Sequence, residues 1–467
     1  MKGFNLTMTK KFSLLLILVL LLFILPSCGG QSIADILKAP EKYANRNGFV
    51  IFEGQLIKYC GSESSLKLSD DIFIIYDGAF DGCDFLKDIT LPNTLTSIGS
   101  EAFSGCTALK TVTVPDSVTS LGTRTFSGCT SLETVTLSNT LTALPYGLFM
   151  NCKCLKKADI PQSVTYMGDS VFNNCKSLEK ISLPNKITEL PAYTFAGCTS
   201  LKEVNLPENL TAVKDYAFDN NSSLEKISFP ESVNYIGTGA FSYCVKLKNP
   251  SLPTHLVHLG ESVFFGCENI TEMVIPKSVD SLRKEAFSMC TSLENVVFEG
   301  NLITIEQRAF YNCRSISHID FPVSLTQIGA SAFESCGISE IDIRDAAIVS
   351  IDKNAFKDCV KLERITLPAA LTTIGQYAFT GCVLLKSLEI PEGISLLPSG
   401  LVMGCASLEH INIPASVVKA GGYVFEETPC LTTVNYNGSF EEYEKIEKDE
   451  NYMSEEAAAR ITILPAA

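Results

Sequence analysis

Phenylalanine recurs at a fixed interval of 23 residues through most of this 467-residue chain. The series begins at Phe80, ends at Phe425 and has sixteen positions, of which fifteen are Phe and one is Val402. A single compact core does not require such regular spacing. A constant period of roughly 20–50 residues instead indicates one small unit stacked on copies of itself. The sequence therefore predicts a solenoid, whose function depends on a long surface and not on a buried pocket.

Cysteine follows the same interval, and most of its positions lie three residues after a Phe of the first series. This Cys series runs from Cys60 to Cys405, and fifteen of its sixteen positions are Cys; the exception is Asn221. One thiol per turn, always in the same environment, indicates buried and reduced side chains that behave as small hydrophobic groups. Asn221 suggests a small side chain bonded to nearby backbone. Disulfides between neighbouring turns remain an alternative, because adjacent Cα atoms could lie within bridging range.

Each unit contains a short predicted strand. In residues 109–114, apolar and polar positions alternate around β-branched residues, which indicates a strand with one buried face. Proline follows this strand in twelve of fifteen units, as at Pro115, and ends the ladder because it lacks an N–H group. An apolar return over residues 118–122 comes next, and Phe126 then places a ring inside the coil. Parallel strands about 4.8 Å apart would bring successive rings into contact.

These units resemble the BspA-like leucine-rich repeat family, whose pattern is L-x-x-I-x-L-P-x-x-L-T-x-I-G-x-x-A-F-x-x-C. The run from Leu362 to Phe379 matches this pattern closely, and the resemblance extends over residues 50–436. It implies an α/β-type repeat solenoid with a parallel sheet on one face, mostly strands and irregular turns, and little helix. It also implies a surface or secreted bacterial protein, which in some members is an adhesin for host matrix proteins or other microbes.

Two units depart from the pattern. Pro250 stands at a strand position and is expected to remove a backbone hydrogen bond there. After Cys336 the strand residues arrive one position early, yet the return segment is back in register at Ile348. One residue is thus missing before the strand and one is added after it. Neutral drift at a turn is the simplest explanation.

The chain is predicted to have four parts: a signal peptide over 1–27, a tether and spacer over 28–48, the solenoid with an N-terminal hairpin over 49–436, and a C-terminal cap over 437–467. Caps are expected because the terminal units of a solenoid must cover their own core. The predicted cap features are a hairpin turn at Glu53-Gly54, a helix over Phe440–Lys448, a last strand over Ile461–Leu464, and core closure by Tyr443 and Ile446.

The N-terminus carries the features of a lipoprotein signal. Two lysines precede an apolar run from Phe12 to Leu25, which has the length of a signal-peptide core and is short for a membrane span. The run ends in Leu-Pro-Ser-Cys, which resembles the lipobox of bacterial lipoproteins, so Cys28 is the expected lipidation site. Gly29, where an Asp would favour the inner membrane, implies the outer membrane. An ordinary signal peptide with an incidental Cys is the alternative, and the side of the membrane stays open.

Charge and motif content exclude several function classes. The formal net charge of −15 opposes binding to nucleic acid or anionic lipid. We find no phosphate-binding Gly loop, metal motif or nucleophile elbow, and a Cys–His pair would need an exposed thiolate. We therefore expect no enzyme, cofactor, metal or small-molecule substrate. The four histidines are scattered over one turn, the return segment after it and two strands: His255, His258, His318 and His410.

The outward face of the predicted strands changes chemistry along the chain. Threonine dominates it in the early units, consistent with β-propensity. Val274 and Val297 then occupy it on adjacent strands, bordered by charged and His side chains. An apolar patch with a polar rim suggests a partner site, and unselected surface is the alternative. The candidate partner-binding residues are Glu272, Val274, Asn295, Val297, His318, Asp320, Glu340, Asp342 and Arg364.

The sequence thus favours a lipid-anchored, adhesin-like binding protein of the outer membrane that faces the cell surface. Its curved repeat sheet would be presented to a protein or another cell-surface macromolecule, and its contact with the membrane would be through the lipid alone. A structural or antigenic coat protein, or a periplasmic scaffold without a specific ligand, is the alternative.

Overall fold

The computed structural model describes residues 32–466, and the proposed lipidation site at Cys28 lies outside them. The chain forms a parallel-strand solenoid of about 17 turns with very little helix, which confirms the predicted fold class. The helical segments stand at the two ends: Ile33–Lys38, a 3-10 turn at Pro40–Tyr43, Phe440–Glu444 and Glu455–Arg460.

One side of most turns carries the predicted strand of three or four residues. In Thr111–Thr113, for example, the central residue is buried and its two neighbours are exposed. Most adjacent strands pair in parallel, so that Thr111 lies beside Thr134. We call this set the long-strand row. Its members are Ser65–Lys67, Asp88–Thr90, Thr111–Thr113, Thr134–Thr136, Lys157–Asp159, Lys180–Ser182, Glu203–Asn205, Glu272–Ile275, Asn295–Phe298, Glu340–Asp342, Arg364–Thr366, Ser387–Glu389, His410–Ile413, Thr433–Tyr436 and Thr462–Pro465.

A second row of parallel strands follows the proline turn, where the sequence analysis expected only an apolar return. These strands have two residues each, and most pair with the strand of the next turn, as Ser97 does with Ser120. We call them the short-strand row. Its members are Ile74–Ile75, Ser97–Ile98, Ser120–Leu121, Ala143–Leu144, Tyr166–Met167, Glu189–Leu190, Ala212–Val213, Tyr235–Ile236, His258–Leu259, Ser281–Leu282, Thr304–Ile305, Gln327–Ile328, Ser350–Ile351, Thr373–Ile374, Leu396–Leu397, Lys419–Ala420 and Glu447–Lys448.

The third side of each turn is irregular but is also bonded to its neighbours through the backbone. The N–H groups of Glu101, Phe103 and Gly105 each donate to a carbonyl of the next turn at 2.8 Å. Glu101 and Gly105 have positive φ angles of 55° and 68°, and equivalent residues recur along the chain. Alternate N–H groups therefore point to the following turn without forming a regular strand.

The Phe series forms a continuous ring stack through the core. From Phe80 to Phe379, ring centroids of neighbouring turns are 4.9–5.8 Å apart and their planes lie within 22° of each other. This spacing suits offset aromatic pairs. The stack is interrupted at Val402, where the preceding position, most often Ala, is Leu401. Both side chains are fully buried.

The Cys series is linked to the Phe series by hydrogen bonds. In thirteen turns the Cys Sγ donates to the carbonyl oxygen of a Phe on the preceding turn, at 3.0–3.3 Å. Cys129, for example, donates to Phe103 at 3.1 Å. The seventeen cysteines of the described residues are free thiols, and those from Cys83 to Cys405 in the series are buried, as predicted. Burial raises the pKa of the Cys198 thiol to about 12.

Two members of the series differ from the expectation. Cys60 is exposed, because the turn that should cover it is replaced by the N-terminal hairpin. Asn221 is fully buried, but its Oδ1 and Nδ2 atoms have no hydrogen-bond partner, so the expected bond to nearby backbone is not made.

Thiol reactivity should separate exposed from buried cysteines. In the native protein at about pH 8.5, an alkylating reagent is expected to modify Cys60, Cys154 and Cys430, because these side chains are exposed and thiolates are the reactive form. The buried thiols should react only after denaturation, since burial raises their pKa and blocks access. Mass mapping before and after unfolding measures this difference. Rapid labelling of Cys198 or Cys267 in the folded protein would contradict it.

The long-strand row is interrupted at the turn of Pro250, as expected, and also at the turn before it and at the turn of His318. At Pro250 a side chain replaces the lost backbone bonding: Asn249 Oδ1 accepts the N–H groups of Thr271 at 2.9 Å and Glu272 at 3.2 Å. The interruption therefore leaves few unsatisfied backbone groups on the next strand.

The register change after Cys336 is confined to one row. Glu340 pairs with Arg364, an offset of 364 − 340 = 24 residues. In the short-strand row, Gln327 pairs with Ser350, an offset of 350 − 327 = 23 residues. The missing and added residues are thus absorbed in the connections on either side of one strand, as the sequence predicts.

The ends contain most of the predicted cap features. The strands Phe49–Phe52 and Gln55–Tyr59 form an antiparallel hairpin whose turn residues Glu53 and Gly54 have positive φ angles of 47° and 72°. Tyr443 and Ile446 are buried at the other end. The helix there stops at Glu444, earlier than predicted, because residues 447–448 join the short-strand row.

Candidate partner-binding surface

The two valines proposed as a partner site lie side by side. Val274 and Val297 are registered partners on neighbouring strands, and 46% and 43% of their surfaces are exposed. Glu272 and Asn295 are registered partners on the same face, two residues before them. We call Val274 and Val297 the valine pair. Both side chains point away from the core. The residue that precedes each valine on its strand, Met273 or Val296, is buried, and successive side chains of a strand point to opposite faces.

The strands that carry the valine pair form an isolated two-stranded sheet. The turn of Pro250 precedes them and the turn of His318 follows them, and neither contributes a long strand. His318 and Asp320 were expected on a strand but lie in an extended segment outside the sheet. The proposed surface therefore consists of two short two-stranded sheets separated by the irregular turn of His318, and not of one continuous sheet.

The charged members of the predicted site are paired with each other or with near neighbours. His318 Nε2 lies 2.9 Å from Asp320 Oδ1, and an Arg364 guanidinium nitrogen lies 2.9 Å from Glu340 Oε1. Asp342 pairs with Arg344 at 2.9 Å, and hydrogen bonds from Arg344 lower the pKa of the Asp342 carboxyl. These pairs are exposed, so water and salt screen them and they add little to stability. The pairs keep the rim of the proposed site polar, but each of them neutralises charge that a partner would otherwise meet.

A group of aromatic residues on the short-strand row was missed by the sequence analysis. Tyr166 is 62% exposed, and the Tyr235 ring stacks on the His258 imidazole with centroids 4.4 Å apart. Burial, and then the charge of Arg283, lower the pKa of His258, so its ring is neutral at neutral pH. The first residue of each short strand could have revealed this group from the sequence. It is Ser or Ala in several earlier turns and is Tyr or His in the turns of Tyr166, Tyr235 and His258.

Within residues 32–466, no cluster of three or more His, Cys, Asp or Glu side chains is arranged to hold a metal ion. None of the helices that the structure describes has both the length and the apolar character needed to cross a membrane.

Comparison with solved structures identifies similar solenoids. A leucine-rich repeat protein from Bacteroides ovatus is 28% identical, with a TM-score of 0.55, over 91% of this chain and 97% of that chain. A leucine rich cell surface protein from Faecalibacterium prausnitzii is 24% identical, with a TM-score of 0.36, over 87% of this chain and 95% of that chain. The sequence matches no curated protein.

A family-level comparison covers most of the described residues. The family described as "BspA type Leucine rich repeat region (6 copies)" matches residues 52–179, 167–294, 280–399 and 326–446. These segments contain the Phe and Cys series, the valine pair and all but the last strand of each row. Such repeat proteins are typically non-enzymatic binding or scaffold proteins. This chain therefore belongs to the BspA-type leucine-rich repeat family.

Proposed function

We propose that this protein is a binding protein of the cell envelope. It presents the outward face between Glu272 and Arg364 to a protein or another cell-surface macromolecule, and a lipid on Cys28 holds it to the outer membrane. The valine pair is the observation that carries the proposal. Two half-exposed apolar side chains in register interrupt a face that is otherwise mostly polar or charged.

The valine pair can supply the apolar centre of an interface. Full burial of an exposed Val side chain is worth about 1.5 kcal/mol or more, and these side chains start half-buried, so the pair contributes about 1–2 kcal/mol. Asn249 and Glu272, joined by a 3.3 Å hydrogen bond, form a polar border on one side. Asn295 continues that border on the paired strand. Most binding energy must therefore come from the polar rim, in keeping with interfaces that combine a small apolar centre with hydrogen bonds.

Replacing both valines should abolish partner binding. In the Val274→Glu, Val297→Glu variant, two carboxylates would stand opposite each other and would have to lose water in the interface. We expect saturable binding to host or bacterial cell extracts to be lost, with little change in melting temperature because both side chains are outside the core. Binding isotherms and thermal denaturation measure the two effects.

The matched control is Thr111→Glu, Thr113→Glu on an ordinary part of the same row, where both side chains are exposed. Equal weakening by the threonine and valine variants would show that the site is misplaced. An absence of saturable binding in the unmodified protein would instead favour a coat or scaffold role.

The lipid anchor depends on Cys28. Cys28→Ala should give a protein that is not acylated and no longer sediments with membranes, because a thioether-linked lipid has no other attachment point in the lipobox-like sequence. Incorporation of a labelled fatty-acid analogue and membrane fractionation are the measurements. Cys154→Ala is the control, since Cys154 is exposed and lies outside the repeat series. Continued fatty-acid labelling of the Cys28 variant would exclude the proposed anchor.

A further inference from the structure

A shallow hollow of about 410 Å³ opens on the short-strand row, between the side chains of Tyr166 and Tyr235. We call it the tyrosine hollow. We propose that it is a second binding site, which takes an extended peptide segment carrying lysine or arginine side chains. The site lies on a different row of strands from the valine pair and does not depend on the function proposed for that pair.

The hollow runs across successive turns of the solenoid, from the turn of Tyr166 to the turn of Tyr235. Tyr166 and Tyr235 stand three turns apart, about 14 Å at the spacing of parallel strands. Between them, Glu189 and Ala212 occupy the matching positions and are in register with Tyr235. The buried Ala212 leaves space that a larger side chain would fill. An extended peptide advances about 3.3 Å per residue, so about four residues span this distance.

Both apolar and acidic residues line the hollow. Pro191 and Ala192, both partly exposed, supply apolar surface for a side-chain stem. The carboxylates of Asp169, Glu189 and Asp215 also line the hollow, and Lys214 is the one cationic residue among them. Long aliphatic stems with a charged end are the features of lysine and arginine. Three carboxylates against one ammonium group, on a protein of net charge −15, favour a basic partner over an acidic one.

Two of the carboxylates are held in place by the solenoid. Asp169 Oδ1 accepts the backbone N–H of Ala192 at 3.1 Å, and Asp215 Oδ1 accepts that of Thr238 at 2.9 Å. Each bond joins a side chain to the next turn. The carboxylates are thus positioned before any partner arrives, which reduces the entropy lost on binding.

Lys214 already shows the contact that the hollow offers to a cation. Its Nζ lies 3.4 Å from Glu189 Oε1 and 5.2 Å from the centroid of the Tyr235 ring. An ammonium group is thus held between a carboxylate and an aromatic ring. Tyr166 and Asp169 supply the same two kinds of group at the other end. A lysine or arginine of a bound peptide would contact Tyr166 and Asp169 in the way that Lys214 contacts Tyr235 and Glu189.

Fluorescence anisotropy with a labelled peptide of alternating arginine and glycine or serine residues tests the site. The mature protein should bind this peptide, should bind its glutamate counterpart much more weakly, and should lose affinity as salt is added. Tyr166→Ala should weaken binding about fivefold, the effect of losing one cation–π contact. Asp169→Asn should weaken it by about twofold to fivefold while its side-chain oxygen still accepts the Ala192 N–H.

Tyr243→Ala and Asp159→Asn are the controls, since one removes an exposed tyrosine outside the hollow and the other an exposed carboxylate on the long-strand row. Both should leave binding unchanged. If they weaken it as much as the Tyr166 and Asp169 variants, the peptide is bound by general charge and the site is refuted. Binding of chitotriose that depends on Tyr166, without binding of the arginine peptide, would also overturn the proposal and indicate a glycan site.

Discussion

Replacing Phe241 by alanine is expected to lower the free energy of unfolding by about 3–5 kcal/mol. The ring is fully buried and contacts three others, with centroid distances of 5.2 Å to Phe218, 5.6 Å to Phe264 and 5.5 Å to Phe229. Neighbouring turns relax little around a lost ring, because backbone hydrogen bonds hold them at fixed spacing. A cavity is therefore left in the stack, and its cost adds to the lost burial.

The position of Phe241 increases its importance. Its turn and the turn of Pro250 lack long strands, so the solenoid is joined there by the short-strand row, the irregular side and the ring stack. A solenoid's stability is roughly the sum of unit and neighbour-interface terms, so the damage should be local. Amide hydrogen exchange should show loss of protection centred on the turns next to Phe241, and urea denaturation gives the overall change.

Phe73→Ala is the matched control, because this ring is half exposed and outside the series. We expect it to cost less than about 1 kcal/mol. If both variants lost the same stability, the stacked rings would contribute no more than an ordinary surface side chain.

Replacing Asn221 by cysteine should stabilise the protein by about 1–3 kcal/mol. The amide oxygen and nitrogen of Asn221 are buried without hydrogen-bond partners, and burying such a group costs that amount. A thiol at this position would donate to the carbonyl of residue 221 − 26 = 195, which is Phe195, as Cys244 donates to Phe218 at 3.2 Å. The substitution thus removes an unpaired amide and adds a bond that the neighbouring turns already make.

The reciprocal variant Cys267→Asn tests the same physical reason. It should destabilise the protein by a similar amount, because it places an amide where a thiol now donates to Phe241 at 3.1 Å. Chemical denaturation of both variants, read with hydrogen exchange near each turn, measures the changes. Loss of stability in Asn221→Cys would mean that the amide makes a favourable contact and that its burial has no cost to recover.

The repeat makes much of the fold predictable from sequence. A side chain such as Phe126 or Cys129 occupies the same environment in every turn, so one physical argument holds along the chain. This argument fails where the environment changes. Cys60 belongs to the series by spacing but is exposed, because the turn before it is a hairpin. Asn221 suggests a satisfied small group by analogy with Cys, yet the longer amide finds no partner there.

Of the two candidate surfaces, one could be predicted from the sequence and the other could not. The valine pair could be predicted because strand alternation and the 23-residue period place Val274 beside Val297. The end of the sheet at His318 could not, because no single residue there forbids a strand. The tyrosine hollow was also missed, since Tyr166 and Asp215 are 215 − 166 = 49 residues apart and meet only through stacking of turns.

Sequence alone determined the period, the buried and exposed faces, the ring stack and the family of this protein, because these follow from side-chain alternation repeated in identical surroundings. Tertiary structure alone decided two of the three interruptions of the long-strand row, which buried polar atoms stay unpaired and which exposed side chains line the tyrosine hollow. Those outcomes depend on hydrogen bonds and contacts between different turns. Local propensity carries little information about them, because each contact joins residues one or more repeats apart.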